Sequence, residues 1–412
     1  MKNGRPIYRL TVCLLVTWSA LLFAQGETNN AVFYSKILSR EQPLQVYLPA
    51  GYATGDSNYP VLYILDGQFF FFHGVAFQQT SDWRSLSPQY LVVGISSVDA
   101  QQRGRDFGSE ARLPVYGRFL EEELFPFVEK EYRASGERII FGWESAGYLV
   151  TQILLRQPDL FDAYLVASGA AADSGAFEAF ASGNPGREKF FYFAFSPAET
   201  WNAKLFGDFS AMLQNRAPAF LRWQIESLPE EDHHSTPYRT IFRGLSEYYR
   251  SYQPLWIKDA EALAEAGGLE GVERYYRERG QKYGVSPEIH GATLLSILSL
   301  AMRGDDFTLF EECMTRFTGE VHGLNPIGWY QRYGQFYLKH HQPQKTLALY
   351  EMGLKRYPEA SALIAGMGEV YLQTGDAERA RAQFRKALAI AEKFDEDARS
   401  EYREKLENLT TR

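Results

Sequence analysis

The stretch Ile139-Ile140-Phe141-Gly142-Trp143-Glu144-Ser145-Ala146-Gly147 decides the fold. An apolar, β-branched run ends at one glycine, a second glycine follows five residues later, and a helical pattern then continues to Arg156 until Pro158 stops it. Strand, tight turn and helix therefore follow one another without a linker. The glycines flank the turn because a Cβ there would meet neighbouring backbone. Outward from this unit the alternation recurs. Residues 44–48 read as a strand, and Tyr59-Pro60 leads into Val61-Leu62-Tyr63-Ile64-Leu65, an apolar run of the kind buried on both faces of a sheet. Residues 90–98 and 138–141 repeat that pattern. Between them, residues 117–132 carry Phe119, Leu120, Leu124 and Val128 on one helical side, with Glu121, Glu122 and Glu123 near the start. Strands alternating with helices predict an α/β domain over residues 25–250, with a mostly parallel sheet and helices on both faces.

The texture changes after about Gly244. Strand-like runs disappear, and residues 251–412 are predicted all-helical. Within them Gly368, Tyr371, Gly375, Ala380, Phe384 and Ala387 mark a unit over 361–392, and stepping back 34 residues gives Gly334, Tyr337, Tyr350, Gly353 and Pro358, a looser copy over 327–358. This pattern resembles the tetratricopeptide repeat, in which small residues let paired helices approach while aromatics fill the gaps. Thr346 and Gly353 depart from it. A plain helical bundle is the alternative reading. Either way, these helices are expected to bind a protein partner or brace the chain rather than do chemistry.

Composition narrows the function classes. The 412-residue chain carries 43 Lys and Arg against 51 Asp and Glu, a net charge of -8, which is the wrong sign for a nucleic-acid partner. Its two cysteines, Cys13 and Cys313, form neither a disulfide framework nor a zinc spacing. Adjacent His233 and His234 point to opposite sides of an extended segment, so no metal site is expected. Lys2, Arg5 and Arg9 precede an apolar run over residues 10–23 and then a polar stretch, the pattern of a secretory signal over 1–24. That run is too short to cross a bilayer. The expected protein is exported, periplasmic or extracellular, without stable membrane insertion.

Several blocks of the first domain resemble the esterase family that includes esterase D and the enterochelin and other siderophore esterases. They are Tyr59-Pro60-Val61-Leu62-Tyr63-Ile64-Leu65-Asp66-Gly67, Arg103-Gly104-Arg105-Asp106, residues 119–132 with Glu123 and Pro126, Pro158-Asp159-Leu160-Phe161-Asp162-Ala163-Tyr164, and Asp232-His233-His234-Ser235-Thr236-Pro237. The resemblance implies an α/β-hydrolase fold, hydrolysis of a small-molecule carboxylic ester, and neither metal nor cofactor. It implies His233 as the general base, oriented by an acid after residues 191–195, Glu199 or else Asp208. Backbone N–H groups of Ala146 and of Gly67 or Gln68 would form the oxyanion hole. Trp143, Phe69, Phe70, Arg105 and Asp106 are candidates for the substrate pocket. In the family, a loop over the site stands where Phe69 to Phe72 fall; core packing is the competing role for these rings.

The elbow itself departs from the family's G-H-S-x-G-G. Counted back from Pro158 without a gap, the nucleophile position falls on Glu144, and Ser145 comes one residue late. Three readings stay open. Ser145 attacks from a slipped elbow, with the following helix turned by about 100°. Alternatively, Glu144 acts as a carboxylate nucleophile. In the third, the domain is catalytically impaired or inactive and serves as a binding or scaffolding module.

Overall fold

The computed structural model describes residues 26–81, 85–108, 110–169, 173–323, 326–394 and 396–410. The export signal expected over 1–24 lies outside the described residues. Among those described, no helix is long and apolar enough to cross a membrane. The chain divides into two compact units, the first ending at Gln253 and the second beginning at Pro254.

The first unit is built on an eight-stranded sheet: β1 (Glu27–Ser35), β2 (Arg40–Leu48), β3 (Tyr59–Leu65), β4 (Leu91–Ile95), β5 (Ala134–Trp143), β6 (Ala163–Ala167), β7 (Lys189–Phe195) and β8 (Leu221–Ser227). Their order across the sheet is β1-β2-β4-β3-β5-β6-β7-β8. β1, β2 and β4 pair antiparallel, and every pair from β4 and β3 through to β8 is parallel. The central strands are apolar throughout because helices cover both faces. Val61, Tyr63 and Leu65 join the cluster of Phe119, Leu120, Leu149 and Val150. On the opposite face Gly74 lies against Leu62, Ile64 and Val92, and Gly244 against Leu165 and Tyr192.

The covering helices are α1 (Gly67–Ser81), α2 (Ala100–Phe107), α3 (Leu113–Arg118), α4 (Phe125–Glu131), α5 (Ser145–Arg156), α6 (Ser174–Ala181), α7 (Ala203–Arg216) and α8 (Thr236–Tyr248). Two expectations are corrected. The single helix expected over 117–132 is α3, a π-helical turn over Phe119–Leu124 and α4. Pro126 lacks the N–H that would continue the α pattern, and the Phe125 N–H bonds back five residues to the Leu120 carbonyl. The turn is put to use: its Glu123 accepts from the Lys36 and Ile37 N–H groups at 2.9 and 3.2 Å, fastening the β1–β2 connection. The second correction concerns residues 69–72, which form the first turns of α1 rather than a loop. Phe70 and Phe71 are buried, whereas Phe69 and Phe72 are exposed.

The second unit is helical: α9 (Ala260–Glu265), α10 (Gly268–Tyr283), α11 (Gly291–Arg303), α12 (Phe307–Arg316), α13 (Thr318–Gly323), α14 (Ile327–Lys339), α15 (Pro343–Arg356), α16 (Ser361–Gln373), α17 (Ala377–Lys393) and α18 (Arg399–Thr410). Close crossings occur where the sequence is small. A Cβ on Gly334 would stand 2.2 Å from the Tyr350 ring, and one on Gly368 would stand 3.0 Å from Phe384. Thr346 is buried and donates to the Gly334 carbonyl at 3.0 Å.

Candidate active site

Three adjacent parallel strands end in non-glycine residues with positive φ: Asp66 after β3 (54°), Glu144 after β5 (55°) and Ser168 after β6 (53°). Such backbone costs on the order of 1–3 kcal/mol per residue and persists only where the surroundings enforce it. They do so at Glu144, whose ψ is -120°. A Cβ on Gly142 would lie 2.5 Å from the Ala146 carbonyl, and one on Gly169 would lie 2.5 Å from the Glu144 carbonyl. Glu144 thus occupies the sharp strand-to-helix turn, and Ser145 is the first residue of α5.

The Glu144 side chain is 43% exposed and stands between two partners. Its Oε2 accepts from Arg103 Nη1 at 2.9 Å, and its Oε1 lies 4.0 Å from His233 Nε2. Arg103 also donates from Nε to Asp66 Oδ2 at 2.9 Å and from Nη2 to the Trp143 carbonyl at 3.3 Å. Its guanidinium lies 5.5 Å from the Trp143 ring centre. Burial raises the Asp66 pKa above the ordinary aspartate value, and the attraction of Arg103 only partly offsets it. Burial also works against the Arg103 cation, yet Asp66 and Glu144 outweigh it and hold its pKa above the ordinary arginine value.

His233 Nδ1 meets Glu199 Oε1 at 2.5 Å. Glu199 is fully enclosed and accepts on Oε2 from the Ser196 N–H at 2.8 Å and from Ser168 Oγ at 2.9 Å. Ser168 Oγ in turn accepts from the Thr236 hydroxyl at 2.8 Å, and that hydroxyl lies 3.2 Å from the His233 carbonyl. That carbonyl also accepts from Trp143 Nε1 at 2.9 Å. Imidazole and carboxylate are therefore locked in place, as a general base and its orienting acid require. Asp208, the other candidate acid, pairs with Lys204 on an exposed face of α7. Among the described residues no hydrogen bond joins Ser145 to His233.

Gln68 and Ala146 each hold the second position of a helix, where the N–H has no intrahelical partner. Gly67 opens α1; a Cβ there would press to 2.7 Å on the backbone of Gly94. The Gln68 side chain is tied to Asp66 Oδ1 and to the Ser97 N–H. Trp143 lies between Phe70 and His233, with ring centres 5.7 and 5.0 Å away. Trp201, 67% exposed, stands 5.7 Å from His233. Phe69 is exposed and packs edge-on to Phe70. From the Arg-Gly-Arg-Asp block it is Arg103 that reaches the site. Arg105 is exposed, and Asp106 is buried with both carboxylate oxygens on Arg40, at 2.9 and 2.6 Å. Asp106 is thus spent on an internal ion pair, and neither residue lines the turn at Glu144.

Ser168, one support of the dyad, lies outside every block on which the family resemblance rests, whereas Thr236, the other, stands in the block that carries His233. The one available signal for the first was Ser168-Gly169 directly after the apolar run 163–167, the same strand-then-glycine pattern that marks the elbow. Among the described residues no group of three or more His, Cys, Asp or Glu is arranged to hold a metal ion.

Known proteins share this architecture. The sequence model of the family described as "Putative esterase" matches residues 35–242, just over half of the chain. The ferri-bacillibactin esterase BesA of Bacillus subtilis is 30% identical over 138 residues, a match covering 27% of this chain and 48% of BesA. The chain spans about half the length of the curated relatives it matches. Among solved structures, an IroE-like serine hydrolase from Shewanella oneidensis superposes with a TM-score of 0.53 at 21% identity, covering 71% of this chain and 99% of that one. An uncharacterised protein from Capnocytophaga ochracea gives 0.55 at 16% identity, covering 94% and 100%. These two likenesses concern the fold alone. The parallel sheet, the glycine-flanked turn at the end of β5, the His233–Glu199 pair and the family match lead to one conclusion: this chain belongs to the esterase family.

Proposed function

We propose that the α/β domain recognises a small-molecule carboxylic ester of the siderophore type but does not run a serine acyl-enzyme cycle. The observation that carries this reading is Glu144 on the strained elbow, held between Arg103 and His233, with Ser145 displaced into α5. A serine cycle needs a hydroxyl within hydrogen-bond reach of the imidazole. Bringing Ser145 there means turning the start of α5 by about 100°, against the packing of Ala146 and Gly147. A carboxylate attack is no easier. It would expel an alkoxide to form an anhydride, and one of the two Glu144 oxygens is already held by Arg103.

Binding groups survive where catalysis does not: the Gln68 and Ala146 N–H groups, the Trp143 and Trp201 rings and the His233–Glu199 pair. The siderophore class rests on similarity to BesA, a ferri-bacillibactin esterase by name. The helical unit is read as tetratricopeptide-like and as the surface for a protein partner. Supporting this are the Gly334–Tyr350 and Gly368–Phe384 crossings and ion pairs recurring at 34 residues, Asp305–Lys339, Glu311–Lys345 and Glu359–Lys393. Export through residues 1–24 completes the reading.

The test compares wild type with Ser145→Ala, His233→Ala and Glu144→Ser on short-chain aryl esters and on ferri-bacillibactin. Inert wild type, with hydrolysis appearing in Glu144→Ser, is the expected outcome. Wild-type hydrolysis abolished by Ser145→Ala would restore the serine cycle and sink the proposal.

A further inference from the structure

The helical unit contains a concave site that the esterase chemistry does not involve. Trp256, on the extended segment before α9, is 70% exposed, an unusual position for the largest apolar side chain. With Trp329 of α14 and Leu295 of α11 it lines a pocket of about 430 Å³, within the size range of small-molecule sites. Lys258 and Arg303 line the same pocket. Arg303 Nη2 donates to the Lys258 carbonyl at 3.2 Å, which draws the two cationic residues together. Outside the lining, Arg332 lies 5.0 Å from the Trp329 ring centre.

These cations are poorly neutralised. Among the described residues neither Arg303 nor Arg332 has a carboxylate partner, and Lys258 has only its exposed neighbour Asp259 at 3.7 Å. In a chain of net charge -8, Arg303 at the wall and Arg332 beside it, neither with a carboxylate partner among the described residues, leave positive charge next to two indoles. An apolar floor with indole walls selects a flat ring, and guanidinium and ammonium groups at the wall select an anion. We propose that this pocket binds a small aromatic carboxylate, its ring against Trp256 and Trp329 and its carboxylate on Arg303 and Lys258. The site is independent of Glu144 and of the reading given to the α/β domain.

The probe is 2-naphthoate, titrated into the full chain by calorimetry and by tryptophan fluorescence, beside 2-naphthamide, cyclohexanecarboxylate and inorganic phosphate. One saturable site is expected, with the amide and the non-aromatic acid each about tenfold weaker, since one charge-assisted contact or one aromatic wall is worth roughly that factor. Trp256→Ser and Arg303→Gln should each weaken binding about tenfold, and both sit on exposed positions that leave folding, checked by circular dichroism, unchanged. Glu144→Ser should leave the affinity unaltered. No saturable binding at millimolar naphthoate, equal affinity for the amide, phosphate binding as tightly, or indifference to Trp256→Ser would each overturn the proposal. So would preference for an acidic hexapeptide over naphthoate, which would make the pocket a peptide site.

Discussion

The two halves of the strand-end site differ in how their side chains are held. In the His233–Glu199 half the carboxylate and the backbone are both tied down: Glu199 accepts from His233, Ser168 and Ser196, and the His233 carbonyl accepts from Trp143. In the elbow half the backbone keeps its strained turn while the side chain on it is a carboxylate neutralised by Arg103. On the function proposed above, the geometry that positions a nucleophile is separable from the atom that would act as one. The turn is enforced by glycine contacts and sheet packing, which do not depend on which side chain it presents.

The sharpest way to break this contrast is Glu144→Ser. If the elbow is only missing its hydroxyl, aryl-ester hydrolysis should rise about 10³-fold over wild type, the scale on which a completed triad acts, and should vanish again with His233→Ala. No gain in a folded variant would show that the base half is also unfit. Next in size is Gly169→Ala, which sets a Cβ 2.5 Å from the Glu144 carbonyl. It should cost about 3 kcal/mol in a denaturant melt by forcing the elbow apart; a neutral result would mean that the turn is not enforced from outside. Arg103→Met should cost about 2 kcal/mol, because it strands Asp66 without its cation, and adding Asp66→Asn should recover part of the loss.

A gentler probe is pH. Asp66 has a folded pKa above its ordinary 3.8, so the folded state binds the extra proton, and its contribution to stability is largest below that value. Relative to Asp66→Asn, wild type should lose stability as pH rises from about 4 through the raised pKa and then level off. The opposite slope in chemical melts would mean that Arg103 outweighs burial. The smallest effect belongs to the helical unit. Lys345→Ala, which removes an exposed partner of Glu311, should change stability by less than about 0.5 kcal/mol. A larger loss would show that the ion pairs at repeat spacing act as a network.

Much of the fold was legible because its signals are local. Apolar runs such as 61–65 and 191–195, the glycines at 142 and 147 and Pro158 act within a few residues, so strand, turn and helix could be placed in order. The π-helical turn before Pro126 is equally local, yet periodicity does not reveal it, since Phe119, Leu120, Leu124 and Val128 keep one side apolar on either geometry. For the site, the family resemblance pointed to His233, to Glu199 or Asp208, and to Ser145 or Glu144, and the structure pairs His233 with Glu199. The sequence could not say which of Arg103, Arg105 and Asp106 faces the turn, because three charged residues in four positions of one short helix point in different directions.

What the sequence by itself determined is the alternation of buried strands and covering helices, the change to helices after the first domain, and the two candidates, Glu144 and Ser145, for the elbow. These follow from periodicity, backbone chemistry and counting. Only the tertiary structure decided that the β5 turn keeps its strained form around Glu144, that Arg103 joins it to Asp66, that Asp106 is spent on Arg40, and that Trp256 and Trp329 converge on one pocket. Each of these depends on contacts between residues tens of positions apart, whose distances are set by sheet order and helix packing rather than by any spacing along the chain.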